Sequence, residues 1–321
     1  MTGKEQNMAN KIRINELPTR TWNRLNVNSA EIEWDEAKTV LLEDDDFSVE
    51  KGENATYDLS LSNSEESFGK RRLKFSLDEE SSALIFENCS CKSCLDSELE
   101  FELSQNSSVK LVQFLNPVGG GLLRHRIVAK CQKNSKLEVL SVMLGDGDNY
   151  ADNLVELFGD NSSFETQIAY LGQGERTTDI NIVVNHYGKA TKSEIGVSGA
   201  LTDSAKKTFR GSIDFKKGSS DSVGSENETV LMLGENVVNK TVPLILCAEE
   251  NVDGSHGATI GELDDDTLFY FESRGIEKAQ AERMLARAAI ERIARISENE
   301  SFSKLVTDEL ERVLKEQDGE E

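Results

Sequence analysis

Five cysteines and three histidines are the scarcest reactive side chains in this chain of 321 residues, and two short strings concentrate them. The first string is Cys89-Ser-Cys91-Lys-Ser-Cys94. Thiolates are the usual ligands of structural Zn²⁺ and of iron–sulfur clusters, so Cys89, Cys91 and Cys94 are candidate metal ligands that still need a fourth group from elsewhere. A redox-active pair and an accidental cluster in a loop are the plainer readings of the same spacing. The second string is Ser255-His256-Gly257, with Glu262 and Glu272 downstream. Neutral imidazole is a good ligand for iron. A site built from His256 with Glu262 or Glu272 would be labile, because it lacks sulfur. The plain alternative for His256 is a structural ring that caps a turn.

The remaining reactive groups read as structure. Cys131 and Cys247 sit in apolar runs and are expected to be buried thiols. His186 shares its parity with Ile180, Ile182 and Val184, which predicts a core histidine. His125, in Leu-Arg-His-Arg, reads as an exposed basic residue. The chain has no phosphate-binding G-x-x-x-x-G-K-[ST] loop. Gly119-Gly120-Gly121 lacks the strand-to-helix setting of a dinucleotide fingerprint and reads as a turn. No Ser/His/Asp order or paired-carboxylate motif points to hydrolysis, so the chain is expected not to be an enzyme.

The elements that must position these groups are mostly strands. From about residue 39 to residue 271 short alternating runs recur, such as Tyr57-Asp-Leu-Ser-Leu, Leu99-Glu-Phe-Glu-Leu and Ile180-Asn-Ile-Val-Val. One face of each is apolar and the other polar, the period of a half-buried strand. Gly, Asn, Asp and Ser separate them. Residues 153–158 are compatible with a short helical turn, and the acidic run 43–46 with a solvated one. A sandwich and a stacked coil would both give this pattern, and many short strands with almost no proline favour the coil. After Gly275 the period changes. Met284, Leu285, Ala288, Ala289, Ile293 and Ile296 follow helical spacing, and so do Phe302, Leu305, Val306, Leu310, Val313 and Leu314. Such helices either fold back on the β body or bind a partner. The expected organisation is therefore a leader at 1–38, a β body at 39–274 and a helical segment at 275–321. The leader carries Leu17-Pro-Thr-Arg-Thr-Trp22, read as an aromatic anchor for the main body.

Bulk properties narrow the class without naming it. A net charge of −23 repels phosphate and argues against nucleic-acid binding. No apolar stretch approaches the roughly 18 residues of a membrane span, and the first ten residues are polar, so a cytoplasmic protein is expected.

The string Ser255-His-Gly-Ala-Thr-Ile-Gly261, followed by Leu268-Phe-Tyr270 and Ser273-Arg-Gly-Ile276, resembles the carboxyl-terminal signature of the SufB/SufD family, scaffold proteins of SUF iron–sulfur cluster assembly. The resemblance is carried by residues 180–293, with a shorter match at Leu17 to Leu25, and is closer to SufD. It implies a right-handed parallel β-helix with a carboxyl-terminal helical segment. It implies transient Fe–S cluster and iron as cargo near His256, at an interface with a second scaffold chain, a copy or a paralogue. It implies a SufC-like ABC ATPase docked through residues such as Arg274, Gly275, Ile276, Met284 and Leu285, and a sulfur donor system as a further partner. It also places the strand that ends at Cys247 near the route that sulfur takes. Two positions depart from the family pattern: Gly254 and Phe271 stand where SufD-like and SufB-like members carry cysteine. The other functional classes open to the sequence are a β-helical metal-binding protein using Cys89, Cys91 and Cys94, and a β-helical carbohydrate-active module, which the low aromatic content of 6% disfavours.

Overall fold

The computed structural model describes residues 10–21, 23–63 and 68–316. Trp22, the expected aromatic anchor, lies outside the described residues, as do positions 317–321. An antiparallel ladder of β1 (Asn10–Ile14) and β2 (Ala30–Trp34) comes first. The chain then alternates between two parallel sheets of eight strands each. One holds β3 (Thr39–Val49), β5 (Phe68–Leu77), β7 (Cys94–Leu103), β9 (Leu122–Cys131), β11 (Asp148–Leu157), β13 (Thr177–His186), β15 (Lys206–Phe215) and β17 (Val238–Cys247). The other holds β4 (Asn54–Asn63), β6 (Ser82–Cys91), β8 (Ser108–Pro117), β10 (Lys136–Met143), β12 (Ser163–Gly172), β14 (Lys192–Leu201), β16 (Ser222–Met232) and β18 (Val252–Gly261). Each strand pairs with the strands two before and two after it, so the chain winds as a parallel β-helix of about eight turns. Helices α1 (Asp265–Glu272), α2 (Lys278–Ile296) and α3 (Glu300–Glu316) complete it. None of these helices is long and apolar enough to cross a membrane.

Strand parity sorts each residue inward or outward. Along β7, Leu95, Ser97, Leu99, Phe101 and Leu103 point inward and are buried. Equivalent positions stack from turn to turn: Phe47, Phe75 and Phe101 form a column with ring centroids 4.8 and 5.4 Å apart. The turns repeat as well. Glu80, Asn106, Asn134, Asn161, Ala190 and Asp221 all have positive φ, and a Ser or Thr follows each. The hydroxyls of Ser81, Ser107, Ser135 and Ser162 donate to the carbonyl three residues earlier at 2.7–2.8 Å. Asn tolerates the left-handed conformation and Ser closes the turn, so this pair sets the corner of the coil.

The two outer faces are covered differently. On β8, β10, β12 and β14 the outward residues Val112, Phe114, Leu140, Val142, Ala169 and Ala200 are buried. Ile290, Ile293, Phe302, Val306 and Leu310 of α2 and α3 cover them in one cluster. The helical pair therefore folds back on the β body, each fully buried aliphatic contributing about 1.5–3 kcal/mol of burial. The other sheet is covered by the leader, where Ile14, Ile32 and Trp34 pack on Tyr150 of β11, and Leu17 and Val27 pack on Val242 of β17 at the sheet's end.

Four expectations need correction. Residues 268–271 are helical, not strand: the coil ends at Gly261, and Asp264 caps α1 by accepting from the Thr267 amide. The Leu268-Phe-Tyr-Phe run was apolar enough for either state, and the Asp264 cap decides it. Gly275, at φ 78°, ends that helix rather than a strand. Residues 153–158 fall mainly in β11, held on both sides by β9 and β13. The acidic run 43–46 lies within β3, where Asp44 faces Arg72 at 3.8 Å.

Inside the first turns a buried polar node replaces apolar packing. Arg71 pairs with Glu87 and donates to Ser97 Oγ at 2.8 and 3.0 Å. Gln113 donates to Glu87 at 2.5 Å and accepts from Ser141 at 2.9 Å. His125 Nε2 lies 3.0 Å from both Glu87 Oε2 and Gln113 Nε2. Removing one member of a buried pair strands the other charge, which costs about 3–5 kcal/mol, whereas replacing both with apolar groups is often neutral. Arg71→Met should therefore destabilise by about 3–5 kcal/mol in urea unfolding, and Arg71→Met/Glu87→Met should recover most of that. A double variant as unstable as the single one would mean that the loss comes from packing and not from the stranded carboxylate.

Candidate functional site at the carboxyl-terminal mouth

β17 and β18 are the last strands of their sheets, and each has one neighbour, so the final turn leaves the interior open at one end. His256 sits on β18 and is exposed. Its register partner on β16 is Glu226. Glu226 points inward with Glu228 and Val230 and is 3% exposed. Its carboxylate lies against Gly211 of β15, where any β-carbon would collide with it. Among the described residues Glu226 accepts no hydrogen bond and forms no ion pair. Glu228, two residues on, is satisfied: it pairs with Lys207 and accepts from Thr241 Oγ1 at 2.6 Å. Lys207 also donates to Thr241 Oγ1 at 3.3 Å and to the Lys240 carbonyl at 3.4 Å. Burial, and then the charge of Glu228, push the Glu226 carboxyl up to about 8, while burial lowers the Lys207 ammonium from its ordinary value. The mouth thus holds an imidazole at its rim and an unpartnered carboxylate one strand deeper.

The sequence candidates distribute unevenly around this point. Glu262 follows the end of β18 and Glu272 ends α1, so neither is the ladder neighbour of His256. Cys247, expected to be buried, is exposed, because it ends β17 and no further turn covers it. It shares the inward parity of Ile245 and stands in register with Phe215. Gly254 shows why a side chain is absent there. Its β-carbon would meet Ile245 Cγ2 at 2.9 Å and Phe215 Cε2 at 3.0 Å, so a cysteine needs Ile245 to give way. Phe271, the other departure, is half-buried on α1 and outside the strands altogether.

Cys89, Cys91 and Cys94 do not share one face of the coil. Cys89 and Cys91 point into the core from β6, whereas Cys94 opens β7 with the outward parity and packs toward the leader's Ile14 and Trp34. Burial pushes Cys89 up to about 11 and Cys91 up to about 12, away from thiolate. Among the described residues no group of three or more His, Cys, Asp and Glu is arranged to hold a metal ion. His125 is buried rather than exposed, and burial, reinforced by Arg71, lowers it to about 3. It is neutral, so its contact with Glu87 is not an ion pair. His186 is buried as the parity indicates, with Thr191 Oγ1 at 2.7 Å, Ser193 Oγ at 2.9 Å and the Phe215 ring at 4.7 Å.

A second surface follows the mouth in the chain. α1 leaves Phe269 72% and Tyr270 54% exposed, and Arg274 stacks 3.6 Å over the Tyr270 ring. Arg274 and Gly275 are exposed, Ile276 and Leu285 are half-buried, and Met284 is 46% exposed. Large apolar side chains displayed together mark a contact surface more often than solvent-facing filler.

The model of the SUF system FeS cluster assembly SufBD core domain matches residues 60–289. The chain belongs to the SufBD family. Among the SufBD relatives, the SufD iron–sulfur cluster assembly protein of Bacillus subtilis strain 168 is 31% identical over 183 residues, which is 57% of this chain and 42% of that protein. Escherichia coli K12 SufD is 25% identical over 145 residues, 45% of this chain and 34% of that protein. The chloroplastic SufBD family protein ABCI8 of Arabidopsis thaliana is 25% identical over 147 residues, 46% of this chain and 26% of that protein. The chain thus spans less than half the length of these relatives.

Sequence reasoning missed Glu226, Glu228 and Lys207. The signal was Ser225-Glu-Asn-Glu-Thr229. Two glutamates two apart in a strand share a face, and sharing it with Val230 puts both inside.

The Glu226 carboxyl titrates higher in the folded protein than its ordinary 4.5, so between pH 4.5 and about 8 the folded state holds a proton that the unfolded chain has released. This term therefore erodes stability as pH rises through that window. Glu226→Gln keeps the shape without the charge. Its melting temperature should exceed the parent's by a margin that grows from pH 5 to pH 8, and a margin independent of pH would show that Glu226 is ionised throughout.

Proposed function

We propose that this SufBD-family chain is a scaffold subunit of SUF-type iron–sulfur cluster assembly and that its carboxyl-terminal mouth receives the cargo. The observation that carries the reading is His256 exposed on the terminal strand, in register with the buried and unpartnered carboxylate of Glu226. Imidazole nitrogen and carboxylate oxygen both suit iron. Cys247, exposed at the end of β17, adds a thiol at the same end of the coil. Two donors make half a site. β18 also presents a free backbone edge, and an edge strand recruits another strand. A second scaffold chain paired there, a copy or a paralogue, supplies the remaining ligands, and opening that pair exposes the cargo for transfer.

The exposed Phe269, Tyr270, Arg274 and Met284 surface suits a SufC-like ABC ATPase as partner. Only residues 262–264 separate β18 from α1, so movement of a docked ATPase would reach the strand that carries His256. The curated names of the relatives, iron–sulfur cluster assembly proteins, support the same role.

Co-expression with a SufC-like ATPase, followed by light-scattering mass, tests the reading. The expected result is a stable assembly with two scaffold chains and two ATPases. Ile260→Lys, on the exposed end of β18, should reduce scaffold pairing while ATPase binding persists. His256→Ala should retain the assembly but lose most of the iron held after anaerobic reconstitution. A monomer that ignores the ATPase would sink the proposal.

A further inference from the structure

An open cleft of about 650 Å³ separates the β1–β2 ladder from the outer face of β11, β13 and β15. That is within the roughly 300–1,000 Å³ of small-molecule sites. None of the mouth residues lines it, and nothing in the scaffold role uses it. Its charged lining is Arg13, Glu16, Arg20 and Glu31 on the leader, with Asp179 and Arg210 on the coil.

These six groups are not saturated by one another. Arg210, with its side chain 1% exposed, donates from Nε to the Val27 carbonyl and from Nη1 to Asp179 Oδ1 at 2.6 Å. Its Nη2 has no hydrogen-bond acceptor among the described residues, although Arg210 lines the cleft. At the rim Arg20 has neither hydrogen bond nor ion pair among the described residues. Arg13 stands 4.0 Å from Glu16 and 3.9 Å from Glu31, too far for hydrogen bonds. Neither of those carboxylates accepts a hydrogen bond among the described residues. A guanidinium nitrogen that reaches the cleft without a protein acceptor is left to donate to what the cleft holds.

The mixture of signs selects the ligand. Glu16 and Glu31 repel a simple anion, and Arg20 and Arg210 repel a simple cation. The net charge of −23 further disfavours a polyanion. We propose that the cleft binds a small zwitterion of the amino-acid or short-peptide class. Its carboxylate accepts charge-assisted hydrogen bonds from Arg20 and Arg210 Nη2, and its ammonium group is drawn to Glu16 and Glu31, which Arg13 approaches only to 4.0 and 3.9 Å. The volume exceeds a single amino acid and favours a short peptide.

Calorimetric titration of the full chain with trialanine at neutral pH tests this. The comparison probes are N-acetyl-trialanine, trialanine amide and inorganic phosphate. Saturable trialanine binding is expected, weakened about tenfold or more by blocking either end. Arg20→Ala should weaken trialanine about tenfold and leave the amide's residual binding unchanged. Arg20 has no hydrogen bond or ion pair to lose among the described residues, so this variant is expected to keep the fold, and Glu31→Gln provides the matching variant for the ammonium end. Absence of saturable binding at millimolar trialanine would overturn the proposal. So would phosphate binding as tightly as trialanine, or trialanine binding indifferent to Arg20→Ala. None of these readouts depends on cluster assembly, so the cleft and the scaffold role stand or fall separately.

Discussion

Hydrogen bonding from turn to turn is what this protein rests on, and it cannot close on itself. Every strand between the ends has two parallel neighbours, while β3, β4, β17 and β18 have one each. Unpaired strand edges recruit other strands, so each must be blunted or used. β3 is blunted, with acidic residues 43–46 along it and a bulge between Leu41 and Glu43. β17 carries Pro243, which has no amide hydrogen to offer. β18 has neither device. Its sequence Val-Asp-Gly-Ser-His-Gly-Ala-Thr-Ile-Gly is small, flat and exposed. Of β3, β17 and β18, the one left available is β18, which bears His256.

The interior of the coil makes the same distinction. Parity sends alternate residues inward, and where one of these is charged it must be neutralised inside. In the first turns the accounts close: Arg71 meets Glu87, and Ser97, Gln113, His125 and Ser141 surround the pair with hydrogen-bonding groups. In the last turns they do not. Lys207 satisfies Glu228, and Glu226 is left over beside Gly211. Desolvating a carboxyl without a partner is unfavourable, and local inconsistency of this kind is where function is expected.

Much of the architecture was legible because period-two alternation and helical spacing are strong signals. The parity that placed His186 in the core worked because Ile180, Ile182 and Val184 flank it in one uninterrupted strand. The same rule places Glu226 and Glu228 inside with Val230, against the general preference of charged side chains for solvent. Leu268-Phe-Tyr-Phe was ambiguous for a different reason, since a short apolar run fits either state until its cap is recognised. The spacing of Cys89-x-Cys91-x-x-Cys94 along the chain did not show that the first two thiols point inward from β6 while Cys94 takes the outward parity of β7. The corner repeat of a left-handed residue followed by Ser or Thr was present throughout. Asn106-Ser, Asn134-Ser and Asn161-Ser show it openly, while Ala190-Thr and Asp221-Ser hide it.

An unsatisfied carboxylate near an open end would normally loosen that end. The last turns resist this through contacts on both outer faces. Leu17 and Val27 of the leader pack on Val242, and Arg210, adjacent in sequence to Gly211, ties the Val27 carbonyl to Asp179. On the opposite sheet, α2 packs across β10, β12 and β14, and the short link from β18 into α1 joins the terminal strand to that helical cover. Stability for the end of the coil is therefore drawn from segments outside the coil. That allows Lys207, Glu226, Glu228, Thr241 and His256 to take inward positions of β15 to β18 beside the core residues Phe209, Ile213, Phe215 and Val230. A polar mouth held rigid from outside is preorganised: its donors need no reordering when cargo or a second chain arrives.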